Sequence, residues 1–258
     1  GYTDQVYEIA NAGQLYWFAG LVNGTLSNVQ QNDQANAVLT ENIVVNENVL
    51  NDDYSLNGDG SNFRVWTPIG IGYAGYSGVF DGVATYFQGM FDGKGHTISG
   101  LYYNDTAEYM GLIGGCWVSS KIRNVGVIDT FFHTNSSVGT IVGQNAGTID
   151  NCYAQANIKG YSVGGISGLG IIFNGKGRNI SNCWFAGKVA GGKPNAIGAD
   201  TNAQNCYYDN TLYTGTSLGT GKTSAEFASG EVAYLLNGSS PYGIWKQTLG
   251  EDAYPTFI

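Results

Sequence analysis

The sequence predicts an all-β fold: a right-handed, single-stranded parallel β-helix, or solenoid, with short helices near both ends. Three observations carry that expectation. The segment Ile149-Asp150-Asn151-Cys152-Tyr153 recurs as Ile180-Ser181-Asn182-Cys183-Trp184 and again as Ala203-Gln204-Asn205-Cys206-Tyr207. Looser copies lie upstream at Ile122-Arg123-Asn124-Val125-Gly126 and Ile98-Ser99-Gly100-Leu101-Tyr102, so successive anchors are 24, 27, 31 and 23 residues apart. A second series, Met110-Gly111-Leu112-Ile113-Gly114, Val138-Gly139-Thr140-Ile141-Val142-Gly143, Val163-Gly164-Gly165-Ile166-Ser167-Gly168 and Ala196-Ile197-Gly198, falls between those anchors. Repeats of this length mark stacked units rather than one closed core. The unit is short, rich in glycine and β-branched residues and lacks a helical period, so each copy reads as one coil.

The elements follow in chain order. Asn11 is a helix N-cap with Gln14 three residues on, and Leu15, Phe18, Ala19 and Val22 form an apolar stripe that Gly24 ends. The first coils fall in residues 36–100, with strands near Ala37–Val45 and Phe63–Ile69 and a long polar loop between them. The repeated coils follow. Thr223-Ser224-Ala225-Glu226 then reads as a capping box, opening a helix whose Ala228, Val232, Leu235 and Leu236 stripe stops at Gly238. An open solenoid end exposes core and unpaired strand edges, so terminal units must differ from the repeats. The expected organisation is a single β-helix domain over 1–258, with an N-terminal cap at 1–35, stacked coils at 36–210 and a C-terminal cap at 211–258. It is expected to be part of a longer surface protein.

Composition narrows the function. The chain has 258 residues, of which 43% are hydrophobic and 12% charged, with a net charge of −9 and a pI near 4.5. A phosphate backbone needs a basic stripe, and with 11 Lys and Arg no nucleic-acid partner is expected. No apolar run reaches the length of roughly 18 residues needed for a span, so no membrane insertion is expected. Low charge with abundant Asn, Ser, Thr, Gly and Tyr suits an extracellular module on a bacterial cell surface.

Repeat position assigns roles to side chains. Asn124, Asn151, Asn182 and Asn205 share one place and should stack as a ladder at a turn, bonding each other and the local backbone. Cys152, Cys183 and Cys206 share the next place and read as a buried column of small apolar thiols. Coils lie ~4.8 Å apart, but three stacked thiols cannot all pair among themselves. Without a CxxC, and with His96 and His133 in unrelated positions, neither a metal site nor a cofactor is expected.

Alternation after the ladder turns Cys152, Ala154, Ala156 and Ile158 inward and Tyr153, Gln155 and Asn157 outward. The same phase puts Trp184 and Lys188 outside in the next coil, Tyr207 outside in the last, and Tyr102 outside upstream. Tyr102, a gap at Gly126, Tyr153, Trp184 and Tyr207 would then form one exterior aromatic column. Two readings stay open. The rings cover the turn or lie under loops around 105–109 and 170–178, or they form a flat platform for sugar rings flanked by Gln155, Asn157 and Lys188.

Catalytic carboxylates for glycoside chemistry would sit roughly 5–9.5 Å apart. Asp129, Asp150 and Asp209 are candidates, yet they fall at different offsets from the anchor. Asp81, Asp92 and His96 read as turn residues. The loop Asp53–Ser61 has calcium-type spacing at its first, third and fifth places and a glycine at the sixth. It carries Arg64 where the bidentate Glu belongs, so it reads as a solvated turn.

Trp66-Thr67-Pro68-Ile69-Gly70, then Phe91-Asp92-Gly93-Lys94-Gly95-His96-Thr97-Ile98-Ser99-Gly100-Leu101, together with the repeats above, resemble the GLUG-motif β-helix domains of bacterial secreted and surface proteins. Gln14-Leu15-Tyr16-Trp17-Phe18-Ala19 and Trp245-Lys246-Gln247-Thr248-Leu249-Gly250 are similar to the ends of such domains. The chain departs from that pattern in a duplicated Phe80-Asp81-Gly82. The resemblance implies company with M26-type immunoglobulin A peptidases and adhesins of gut and oral bacteria. No HExxH is present, so a zinc peptidase activity would lie elsewhere in a parent protein. The expected function is a non-catalytic surface module for adhesion, for binding a host or dietary glycan or host surface protein, or for presenting neighbouring domains of the parent protein. The alternative is a glycan-active β-helix enzyme, a hydrolase or lyase.

Overall fold

The structure, a computed structural model, describes residues 5–72, 85–172, 175, 177–199 and 201–258. The duplicated Phe80-Asp81-Gly82 lies outside the described residues, as do Gly1 and part of the 170–178 loop. The fold is all-β, a parallel β-solenoid of about six turns with a few short helices.

Three inward columns make the core; the strands bearing the first and second columns, which run on into each other in one large sheet, are the first and second sheets of the coil. The first stacks Ala37, Phe91, Ile122, Ile149, Ile180 and Ala203 in parallel register. The second stacks Ile43, Ile98, Val127, Ala154, Phe185 and Tyr208. The third is the Gly-bounded series, tied by backbone bonds from Ile113 N–H to Ile141, from Ile141 N–H to Ile166 and from Ile166 N–H to Ile197, at 2.9, 3.1 and 2.9 Å. Glycines flank this third column because the coils approach closely there. A Cβ on Gly143 would stand 2.6 Å from the backbone nitrogen of Met110 in the preceding coil.

The register corrects one reading of the repeat. Ile98 stacks on Val127, one face further round, and Phe91 is the residue that stacks on Ile122. The expected anchor at Ile98 therefore belongs to the second column. A segment rich in Ile, Ser and Gly fits either face, and only strand pairing separates them. The expected Ala37–Val45 strand is split into Asn36–Leu39 and Ile43–Val44. In 63–69 pairing is reduced to bridges at Val65–Tyr102 and Ile69–Ile113.

Helix α1, Ala12–Asn23, is capped as its sequence predicts. The Asn11 side chain accepts from Gln14 N–H, Gln14 Oε1 accepts from Ala10 N–H, and Gly24 closes the helix at φ 70°. Its Leu15, Phe18, Ala19 and Val22 are buried in the solenoid core, which closes that end. At the other end the single expected helix is two, α2 (Ser224–Ala228) and α3 (Glu231–Leu236). Gly230 adopts a left-handed φ of 83° and breaks the run. The predicted capping box is present, but Phe227 takes the buried place assigned to Ala228. A short antiparallel pair, Trp245–Lys246 with Thr256–Phe257, completes the segment.

Ile149 is wholly buried between Ile122 and Ile180. Ile149→Asp places an unpaired carboxylate there, and the variant is expected to lose more than about 4 kcal/mol and to unfold at room temperature. Far-ultraviolet circular dichroism with a thermal melt checks this; a cooperative melt near that of the parent chain would contradict the coil assignment.

Candidate functional site

The outward face of the second sheet carries the residues that the sequence singles out, and two other parts of the chain lie on it. Between Val127 and Thr130 the strand holds one more residue than Ala154–Ala156 beneath it, a β-bulge with Asp129 at φ 50°. Bulges re-aim a side chain. Here the Asp129 carboxylate accepts from the backbone N–H of Val49 and Leu50, at 2.9 and 2.7 Å, and pins the polar loop 46–64 across the face. Burial pushes this carboxyl above its ordinary value, against the three backbone donors that favour its ionised form.

That loop occupies the predicted polar flank. Asn157 donates to the Tyr54 carbonyl at 2.7 Å, Gln155 donates to the Tyr54 hydroxyl at 3.3 Å, and Lys188 pairs with Asp53 at 3.4 Å. The Tyr54 phenol lies near the Tyr254 phenol, which donates to Asp209 at 2.8 Å. Burial raises both phenols above their ordinary value. The loop and the C-terminal segment thus meet over the sheet.

The aromatic column is also covered. Tyr153, Trp184 and Tyr207 do point away from the solenoid core, in successive coils, over Gly126. They form a separate apolar cluster with Phe227, Val232, Leu236, Trp245 and Phe257. Tyr153 stacks on Trp184 with centroids 4.8 Å apart and planes within 8°, and Tyr254 stacks on Trp184 at 5.2 Å and 12°. Trp184 is 1% exposed. The expected open platform is therefore corrected: the rings are packing, and the covering elements are α2, α3 and the C-terminal strand pair rather than loops 105–109 and 170–178. Tyr102 is corrected too. It stacks on Phe131, not on Gly126, and its ring packs with Phe63 beneath the 46–64 loop.

Sequence reasoning missed Tyr254, which stacks on Trp184, and Tyr54, which takes up Gln155 and Asn157. The available signal was an aromatic two residues or fewer after an aspartate in each of two turn segments, Asp52-Asp53-Tyr54-Ser55 and Asp252-Ala253-Tyr254-Pro255.

The asparagines sit where the chain turns between the first and second sheets. Asn124, Asn151, Asn182 and Asn205 all adopt left-handed φ near 50° (52, 50, 52 and 49°), which asparagine tolerates better than most residues. Asn151 donates to Asn124 and Asn205 to Asn182, at 3.3 and 2.8 Å. Asp150 bridges the middle, accepting from Asn151 and Asn182 at 3.1 and 2.9 Å. Cys152, Cys183 and Cys206 are buried free thiols below this ladder, and burial raises the Cys183 thiol well above its ordinary value.

The three candidate carboxylates are thus occupied within the protein. Asp129 holds the loop and Asp150 belongs to the ladder. Asp209 accepts from Thr211, Ser224 and Tyr254. Asp53 and Asp59 accept from Ser55 and Ser61 two residues on, as turn residues do. Among the described residues no group of three His, Cys, Asp or Glu side chains is placed to hold a metal ion.

Open clefts lie elsewhere. One of about 570 Å³ lies between α3, the 240–243 turn and the strand Trp245–Lys246. It is walled by Tyr234, Tyr242 and Leu249, the latter two 85% and 66% exposed. A cleft of about 320 Å³ brings Asp59 and Asp105 to one rim beside Tyr102 and Tyr103. Hydrogen bonds from Ser61 hold the Asp59 carboxyl below its usual range, which suits an anion and not a general acid.

With this geometry in place, comparison with known proteins adds the following. No family model matches the chain. Over 99 residues, 38% of the chain, it is 33% identical to halomucin from Haloquadratum walsbyi, and the match spans 1% of that protein. A crystal structure from Bacteroides ovatus, described as a "putative immunoglobulin A1 protease", superposes with a TM-score of 0.58 over 100% of this chain and 93% of the other, at 17% identity. That likeness shows a shared fold. No helix among the described residues is long and apolar enough to cross a membrane.

Because Trp184 is packing, Trp184→Ala is expected to cost about 3–5 kcal/mol and to lower the melting temperature sharply in calorimetry. A variant that melts with the parent would restore the exposed-platform reading.

Proposed function

We propose that this chain is a non-catalytic, extracellular surface module of bacterial type that serves adhesion, through a glycan or a host surface protein, or presents neighbouring domains. One observation carries the reading. Asp129, Asp150 and Asp209 each spend their oxygens on backbone amides, the asparagine ladder or side-chain hydroxyls, so none is free to serve as acid or nucleophile. Open surface of the kind a partner meets is supplied by the C-terminal cleft with Tyr234 and Tyr242. The extracellular setting is supported by the names of the similar proteins, one a mucin and one a protease of an immunoglobulin. Mucins and immunoglobulins are both met outside cells.

A second reading, a glycan-active enzyme, draws on the Asp59–Asp105 cleft, which places two carboxylates beside two tyrosines. Incubation with mucin, host glycans and plant polysaccharides, followed by assay of reducing ends and unsaturated products, separates the two. No product above a boiled control is expected. Turnover that disappears in Asp59→Asn or Asp105→Asn would establish the enzyme instead.

A further inference from the structure

The first sheet has an outward row that reaches solvent, with Lys121, Asn179 and Asn202 exposed and Asn36, Met90 and Thr148 half-buried. Strand register lines up Asn36, Met90, Lys121, Thr148, Asn179 and Asn202 in one outward row crossing the coils. At its upper end the row opens into a groove of about 450 Å³, lined by Gln34, Asn36, Gln88, Met90, Ser119 and Lys121. The groove is polar without a carboxylate in its wall. Three acids flank it: Asp33 accepts from Gln88, Asp92 is paired with Lys94 and Arg123, and exposed Glu8 lies one row further along, beside Val38. Lys121 is exposed and, among the described residues, makes no ion pair.

The hydrogen-bonding capacity left over in this groove is specific. Asn36 uses its oxygen on Met90 N–H and keeps its amide donors. Gln88 uses its nitrogen on Asp33 and keeps its oxygen. Ser119 donates to the Gln88 carbonyl and keeps its lone pairs. An amide donor, an amide acceptor and a hydroxyl acceptor around one free ammonium complement a ring of hydroxyls that bears a single anionic group. Polyanions are disfavoured by the net charge of −9 on the chain.

We infer that this groove binds an acidic saccharide, its carboxylate on Lys121 and its hydroxyls on Asn36, Gln88 and Ser119. The exposed row from Thr148 to Asn202 continues the site toward later coils, so that a longer glycan lies across the strands. The inference rests on the binding-module reading above and names the ligand class and the place.

The test is a titration of the intact chain, by calorimetry and amide chemical shifts, with galacturonate, 3′-sialyllactose and the neutral sugars lactose and maltotriose. At least one acidic sugar is expected to bind with Kd near 1 mM, as shallow sites do, and the neutral sugars roughly tenfold more weakly. The two acids distinguish a plant uronate from a host sialoside as the source. Lys121→Gln should bring acidic binding down to the neutral level while its melt stays unchanged, and Lys121→Arg should retain it. Equal affinity for acidic and neutral sugars, or no binding of either acid at about 10 mM, would overturn the site. So would acidic binding that persists in Lys121→Gln, although that result leaves the surface-module reading intact. New reducing ends in the titrated samples would overturn the module reading itself.

Discussion

Parallel register between coils is the constraint on which everything else depends. Each strand of the first sheet bonds to its equivalents in the coils above and below, so residues at one repeat position are forced into one column. Columns of Phe91, Ile122, Ile149 and Ile180 bury the core without help from distant sequence. The same rule stacks the turn residues, and in four coils a left-handed asparagine bends the chain from the first sheet into the second. Asp150 supplies acceptors where the asparagines alone leave a gap in the ladder.

A solenoid built this way exposes its outward rows as well as its ends, and this chain treats its faces differently. The second face turns large rings outward and covers them with its own polar loop and C-terminal segment. The bulge at Asp129, the Tyr254–Asp209 hydrogen bond and the Tyr153–Trp184–Tyr254 stack are the fastenings. The first face turns amides, hydroxyls and Lys121 outward and is left open. What resembles a sugar platform in the sequence is therefore interior, and the polar face is the one that meets solvent.

The sequence made the coils legible because their rules are local: a period, an alternation and a corner residue. Helix α1 was legible for the same reason, through Asn11, Gln14 and Gly24. The face assignment of Ile98 and Tyr102 was not, because a coil with one turn of different length shifts face without changing its composition. The covering of Trp184 was hidden as well. It depends on Phe227 and Tyr254, 43 and 70 residues away along the chain, and no local pattern links them. Outward direction was read correctly from alternation, while exposure required knowing what packs on top.

The account's central claim is that the outward aromatic column is interior to the folded chain. Hydrogen–deuterium exchange at the Trp184 indole N–H, followed by nuclear magnetic resonance, tests this most directly. The indole nitrogen is buried, so exchange is expected only on the timescale of global unfolding, as slow as the core amides of Ile149 and Ile180. Exchange within seconds, at the rate of the exposed Trp17 indole, would show that the C-terminal segment does not hold the column closed.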